Sequence, residues 1–204
     1  MSSLAQARDW YVGARRRAFA WRDELSWPAK MALAVGMACF TGLAAQARIH
    51  LPNTPVPVTG QVFAVLLCGA LLGGGWGGLS QLLYVGVGAL GAPWFQGMAG
   101  GVGVVTGVTG GYLLGFIPAA MLVGFVTRRF ALVRRPVPMC LLMVGAVGLI
   151  YAGGALQFSM VMHTGLKATL GMAVAPFIAL DIAKAMLAAN LAAALLPKGS
   201  DGLC

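Results

Sequence analysis

Long apolar runs, with charged residues almost entirely at their ends, constrain the fold of this chain more than any other feature. Of its 204 residues, 59% are hydrophobic and 9% are charged, whereas soluble domains carry about a quarter charged residues. A helix needs about 20 mostly apolar residues to cross the ~30 Å hydrocarbon core of a bilayer. The sequence therefore predicts an all-α integral membrane protein whose transmembrane helices form a compact bundle.

Prolines, glycines and arginines divide the apolar sequence into six segments. The run 73–78, which is almost all glycine, predicts a tight turn, because glycine tolerates backbone conformations that other residues avoid. Segment 91–108 is expected to form a loop over the mouth of the bundle, since irregular backbone at membrane depth must be covered by protein or line a water-filled cavity. The six predicted spans cover approximately residues 29–47, 59–73, 79–90, 109–127, 139–158 and 170–196.

The distribution of basic residues predicts the orientation of this bundle. With a cytoplasmic N-terminus, eleven of the 14 lysines and arginines lie on the inner side and only Arg48 and Lys167 lie outside, an asymmetry typical of membrane proteins. Because the basic clusters flank spans, the net charge of +9 does not indicate nucleic-acid binding. The prediction is N-in/C-in, with a basic, aromatic cytoplasmic segment at 1–28, a six-helix transmembrane domain at 29–197 and a cytoplasmic tail at 198–204. The first segment fits an amphipathic helix on the membrane surface and a flexible tail equally well.

Asp181 is the one acidic residue, of five in the sequence, that falls inside an apolar span. Lys184 follows three residues later, on the same face of a helix. A charged group in the bilayer interior costs at least ~2.5–3.5 kcal/mol, so intramembrane charges usually mark a functional site. As a site, the pair offers an acceptor and a donor that complement a neutral cyclic urea or amide. The alternative is an ion pair that only ties the last helix to its neighbours.

Several other polar or aromatic residues in apolar context are candidates to face the same cavity. Each could equally make a hydrogen bond between helices or lie at the membrane interface. No catalytic residue, metal site or cofactor is predicted, because the chain lacks the sets of acids, histidines or cysteines that such chemistry needs, and no GxxxxGK[ST] phosphate loop occurs. The candidates for ligand contact besides Asp181 and Lys184 are Thr59, Gln61, Tyr84, Phe95, Tyr112 and Gln157.

Five motifs resemble those of the BioY family, the biotin-binding S components of energy-coupling-factor (ECF) transporters. The resemblance covers about residues 30–197. One departure is Val108, where the family usually has proline before the threonine. The motifs are PVPVTGQ at 55–61, GALLG at 69–73, GALGAP at 88–93, TGGYLLGF at 109–116 and DIAK at 181–184.

The resemblance implies that domain 29–197 binds biotin near its outer face, with Asp181 and Lys184 on the ureido ring. It implies an ECF coupling transmembrane subunit and ATPase subunits as partners, in the cytoplasmic (inner) membrane of a prokaryote. Small residues on the first helix, here Ala34 and Ala38, would meet the coupling subunit; packing inside the bundle is the alternative. An S-type subunit for another vitamin and a solitary, homo-oligomeric biotin transporter remain open alternatives.

Overall fold

The structure is a computed structural model that describes residues 6, 10–14, 17, 22, 24–52 and 54–197. The described part is almost entirely helical, so the predicted all-α class is confirmed. Residues 10–14 are helical. The interpretations of segment 1–28 as a whole and of tail 198–204 lie outside the described residues.

The helices follow the apolar segments of the sequence closely. Prolines stand in the first turns of α1 and α6, where a missing N–H group costs nothing. Two short strands pair antiparallel between α1 and α2, β1 (Arg48–Ile49) and β2 (Val58–Thr59). The helices are α1 Trp27–Gln46, α2 Gln61–Leu72, α3 Gly74–Ala89, α4 Val102–Thr106, α5 Gly110–Arg129, α6 Pro136–Met162, α7 Leu166–Ala173 and α8 Ile178–Leu195.

Four helical stretches of the described chain are long and apolar enough to cross a membrane. They are α1, α5, α6 and the combined stretch Leu166–Leu195, which contains α7 and α8. Helix α2 is apolar but has 12 residues, and α3 has 16. The fold is therefore that of a multi-pass membrane protein, and the count of six spans stays a prediction.

The predicted turn at 73–78 is wrong, because α3 already begins at Gly74. The turn is confined to Gly73, whose φ of 83° is a backbone conformation that favours glycine. Helix packing overrides the low helix propensity of the glycines here: a Cβ on Gly77 would lie 3.0 Å from the Cα of Gly69. The glycines therefore let α2 and α3 approach closely instead of breaking the helix.

The last predicted span, 170–196, is broken into two helices. Helix α7 ends at Ala173, a 3₁₀ turn covers Ala175–Phe177, and α8 starts at Ile178. Pro176 lies in this turn and cannot continue a helix, because it lacks an N–H group. Segment 91–108, predicted as a loop, also contains a 3₁₀ turn at Gln96–Met98 and the short helix α4.

Helix α5 is central and packs against α2, α3 and α6. Its crossing with α6 is tight, since a Cβ on Gly111 would lie 2.1 Å from the carbonyl oxygen of Gly153. Successive long helices alternate in direction, so the connections 47–60, 90–109 and 163–177 meet at one end of the bundle. The predicted topology makes this the outer end, and it holds the candidate site.

Candidate functional site

A cavity opens between these three connections and α5, α6 and α8. Its lining is mostly apolar with a few polar groups, as in small-molecule sites generally. Six of the eight predicted ligand residues line it: Thr59, Gln61, Phe95, Tyr112, Asp181 and Lys184. Tyr151, which from sequence could also face a cavity, lines it as well. Residues that line it without having been predicted include Val104, Thr109, Phe116 and Phe177.

The polar floor of the cavity is a buried carboxylate held from both sides. Lys184 Nζ donates to Asp181 Oδ1 at 2.7 Å, and the Tyr151 hydroxyl donates to Asp181 Oδ2 at 2.7 Å. Asp181 is 5% exposed, and it lies in the first turn of α8, where the positive end of the helix dipole favours an anion. The carboxylate can still accept, and the ammonium group can still donate, further hydrogen bonds.

Tyr112 on α5 contributes its ring to the cavity wall and its hydroxyl to the fold. The hydroxyl donates to the carbonyl oxygen of Ala173 at the end of α7. The ring covers Gly154 of α6, where a Cβ would lie 2.4 Å from Tyr112 Cε1. Tyr112 therefore joins α5, α6 and the broken last span beside the carboxylate floor.

Thr59 and Gln61 form a polar strip on the opposite wall. The Thr59 hydroxyl donates to Gln61 Oε1 at 2.8 Å, and Gln61 Nε2 donates to the Tyr84 hydroxyl at 2.9 Å. Tyr84 itself lies behind this wall: it is fully buried, and its hydroxyl donates to the Trp94 carbonyl oxygen at 3.2 Å. Tyr84 therefore does not line the cavity in this structure, and its contact with ligand stays a prediction.

Phe95 is the aromatic wall supplied by segment 91–109. Its ring lies edge-on to Tyr84, with centroids 5.4 Å apart. Gly88 of α3 makes room for it, since a Cβ there would lie 2.1 Å from Phe95 Cζ. Contact with α3 therefore fixes the position of the buried Phe95 ring.

Gln157 does not line this cavity in this structure either, and its contact with ligand likewise stays a prediction. Its Nε2 donates to the carbonyl oxygens of Val105 and Gly107, each at 2.7 Å. Carbonyl oxygens at the end of a helix lack intrahelical partners. The two at the end of α4 accept hydrogen bonds from the Gln157 amide instead.

Ala34 and Ala38 are 0% and 1% exposed and pack within the chain. Ala34 packs with Cys68 and Leu72 of α2, and Ala38 belongs to the main core. In this structure the two side chains therefore pack inside the bundle, and their contact with a coupling subunit stays a prediction. Ala32 and Gly36, on another face of α1, are exposed.

The arrangement suits a small ligand with a neutral polar head and an apolar body. The head would meet Asp181 and Lys184, and the body would lie between aromatic side chains. Among the described residues, no three His, Cys, Asp or Glu side chains come together as a metal site. Contact of any of these residues with a ligand stays a prediction.

The chain is similar to several known proteins in sequence and in fold. The model of the BioY family matches residues 16–200. The probable biotin transporter BioY of Methanothermobacter thermautotrophicus is 45% identical over 139 residues, which are 65% of this chain and 88% of that protein. The biotin transporter BioY of Thermotoga maritima is 37% identical over 149 residues, 72% of this chain and 84% of that one. The crystal structure of the S-component for biotin from an ECF-type ABC transporter shares the fold, with a TM-score of 0.75 at 22% identity over 84% of this chain and 94% of that chain.

Proposed function

We propose that this chain, which belongs to the BioY family, captures biotin. In this proposal it acts as the substrate-binding subunit of an ECF-type transporter. The family is one of membrane transporters and not of enzymes, as the names of the relatives state. Uptake would take place across the cytoplasmic membrane of a prokaryote. No cofactor on this chain enters the proposal, since nucleotide hydrolysis would belong to partner subunits.

The observation that carries the proposal is the buried Asp181 carboxylate, held by Lys184 and Tyr151 at the floor of a mostly apolar cavity. The ureido ring of biotin has N–H donors for a carboxylate and a carbonyl acceptor for an ammonium group. Its apolar sulfur-containing ring would pack on Phe95 and Phe177, and the tail carboxylate would lie toward the polar mouth. The pair thus supports a neutral cyclic urea better than a charged head group.

Partnership with a coupling transmembrane subunit and ATPase subunits is part of the same proposal. The solved protein that shares this fold is described as an S-component of such an assembly. On α1, the exposed small residues Ala32 and Gly36 leave a shallow face, with nothing within 4 Å of a Cβ placed on Gly36. Close helix contacts in membranes favour such residues, so this face is the proposed contact with the coupling subunit.

Binding of biotin to the purified chain, measured by calorimetry, tests the proposed ligand. Asp181→Asn and Lys184→Met should each weaken binding by about 2–4 kcal/mol, because a buried polar partner is left unpaired. Asn190→Leu, on the exposed side of α8, serves as the control. Unchanged affinity in both site variants would refute the site assignment.

Two further measurements separate the alternatives. Competition by other vitamins against bound biotin tests whether the cavity prefers a different heterocycle. Uptake of biotin by cells that lack every ECF coupling and ATPase subunit tests a solitary oligomeric transporter. Uptake in such cells, dependent on this chain, would contradict the proposed partnership while leaving biotin as the ligand.

A further inference from the structure

Segment 91–109, the predicted loop 91–108 together with Thr109, closes one side of the cavity. Its two halves differ in the contacts that attach them to the long helices. The first half, around Phe95, is held by many contacts. The second half contains α4, whose five residues include none that is buried. Both halves supply lining residues, Phe95 and Gln96 from the first and Val104 from the second.

Gln46 of α1 fastens the first half. Its Nε2 donates to the carbonyl oxygens of Trp94 and Phe95 at 3.3 and 3.0 Å, and its Oε1 accepts from the Met98 N–H at 3.1 Å. Trp94 Nε1 also donates to the Tyr84 carbonyl oxygen at 3.0 Å. This half is therefore a fixed wall joined to α1 and α3.

Gln157 of α6 fastens the second half. Within the described part of the chain, its two hydrogen bonds to Val105 and Gly107 are the side-chain hydrogen bonds that join the α4 half to the long helices. Gly101 precedes α4 with a φ of 95°, and its N–H donates to the Gly88 carbonyl oxygen at 2.7 Å. Helix α4 has no buried residue and is flanked by glycines. Such segments belong to the least stable part of a fold.

We propose that Gln157 is the positioning residue that keeps α4 closed over the cavity, and that α4 moves aside about Gly101 and Gly107 when ligand binds or leaves. The geometry that carries this is the contrast in side-chain hydrogen bonds between the two halves of the described segment. Gln46 and Trp94 both hold the Phe95 half, whereas Gln157 holds the α4 half, whose Val104 and Val105 pack only partly buried against the core. The inference rests on the proposed function only for the identity of the ligand. Gln157 thereby acquires a role in ligand exchange without touching ligand.

Gln157→Leu should raise the association and dissociation rate constants of biotin by about tenfold each. The substitution removes two hydrogen bonds from the closed state. A tenfold change in each rate constant corresponds to a net loss of ~1.4 kcal/mol. Because Gln157 stabilises the closed state with and without ligand, the Kd should change by less than about threefold. A defect in folding or in the cavity wall would instead weaken binding and raise the Kd. Stopped-flow measurement with fluorescent biotin, and chase with unlabelled biotin, give the two rate constants.

Two matched variants complete the experiment. Gln46→Leu removes an amide of the same size from the fixed wall, so dissociation should accelerate without faster association, and the Kd should weaken. Asn190→Leu removes an exposed amide whose Nδ2 donates to Met186 in its own helix, and both rates should stay unchanged. If Gln157→Leu changes neither rate, or changes dissociation alone, the role of Gln157 is refuted. If Gln46→Leu raises both rates equally, the two halves move together and the proposed division is refuted.

Hydrogen–deuterium exchange of the ligand-free protein tests the same inference without biotin. Backbone amides of residues 102–107 should exchange about tenfold faster in Gln157→Leu than in the wild type and in Asn190→Leu. Unchanged exchange refutes the positioning role, whatever the ligand is. Faster exchange in a chain that fails to bind biotin would instead refute the proposed function and leave the positioning role standing.

Discussion

Replacing Tyr151 by phenylalanine would remove the hydroxyl that donates to Asp181 Oδ2 at 2.7 Å, and would leave the ring in place. The remaining donor, Lys184 Nζ, holds only Oδ1. With one oxygen released, the carboxylate can rotate away from the orientation in which it faces the cavity. Hydrogen bonds to charged groups contribute about 1.5–3 kcal/mol in soluble proteins, and bonds between membrane helices less. We therefore expect about 1–2 kcal/mol weaker biotin binding, a factor of roughly five to thirty in Kd.

Calorimetric titration of Tyr151→Phe with biotin measures this loss. Tyr112→Phe is a matched control, since it removes the hydroxyl of another cavity tyrosine, which donates to the Ala173 carbonyl oxygen and not to Asp181. Both variants should lower the thermal stability of the protein. The loss of affinity should be larger in Tyr151→Phe, because that change acts directly on the carboxylate.

A double-mutant cycle with Asp181→Asn decides whether Tyr151 acts through the carboxylate. If it does, Tyr151→Phe should weaken binding much less in the Asp181→Asn background than in the wild type, because residues in contact are not additive. Additive losses of binding free energy would refute this reasoning and would indicate a direct contact between Tyr151 and ligand. An unchanged Kd in the single variant would refute it as well.

Two other substitutions test the cavity wall and the exposed face of α1. Gly88→Ala should weaken biotin binding about tenfold or more in a titration, because its Cβ would lie 2.1 Å from Phe95 Cζ and would displace the ring; unchanged affinity would show that the position of Phe95 does not matter. Gly36→Leu should abolish biotin uptake in cells that contain the coupling and ATPase subunits while leaving the Kd of the purified chain unchanged, since the substituted side chain points away from the bundle. Normal uptake would place the coupling face elsewhere.

Much of the site could be predicted from local sequence. Asp181 and Lys184 are three residues apart, so helix geometry alone brings them together. Motif residues such as Thr59 and Gln61 reach the cavity as expected. The family match over residues 16–200 confirms the resemblance on which the ligand was inferred.

What the sequence did not reveal depends on contacts between distant residues. Tyr151 bonds to Asp181 across 30 positions, and nothing local distinguishes it from a packed tyrosine. From sequence Gln157 is a candidate ligand residue, whereas its hydrogen bonds to the Val105 and Gly107 carbonyl oxygens are visible only in three dimensions. The glycines at 73–78 predict a turn from sequence, although close helix packing makes those from Gly74 onward helical.

The break at Pro176 explains why a charged pair can lie in an otherwise apolar span. A continuous helix would place Asp181 in mid-span, where an isolated charge is costly. The break instead puts Asp181 in the first turn of α8, where unpaired N–H groups and the helix dipole favour a carboxylate. It also frees the Ala173 carbonyl oxygen, which accepts the Tyr112 hydroxyl, and it brings Phe177 to the cavity wall. One interruption of the last span therefore places the acid, an acceptor for the Tyr112 hydroxyl and the aromatic Phe177 beside the same cavity.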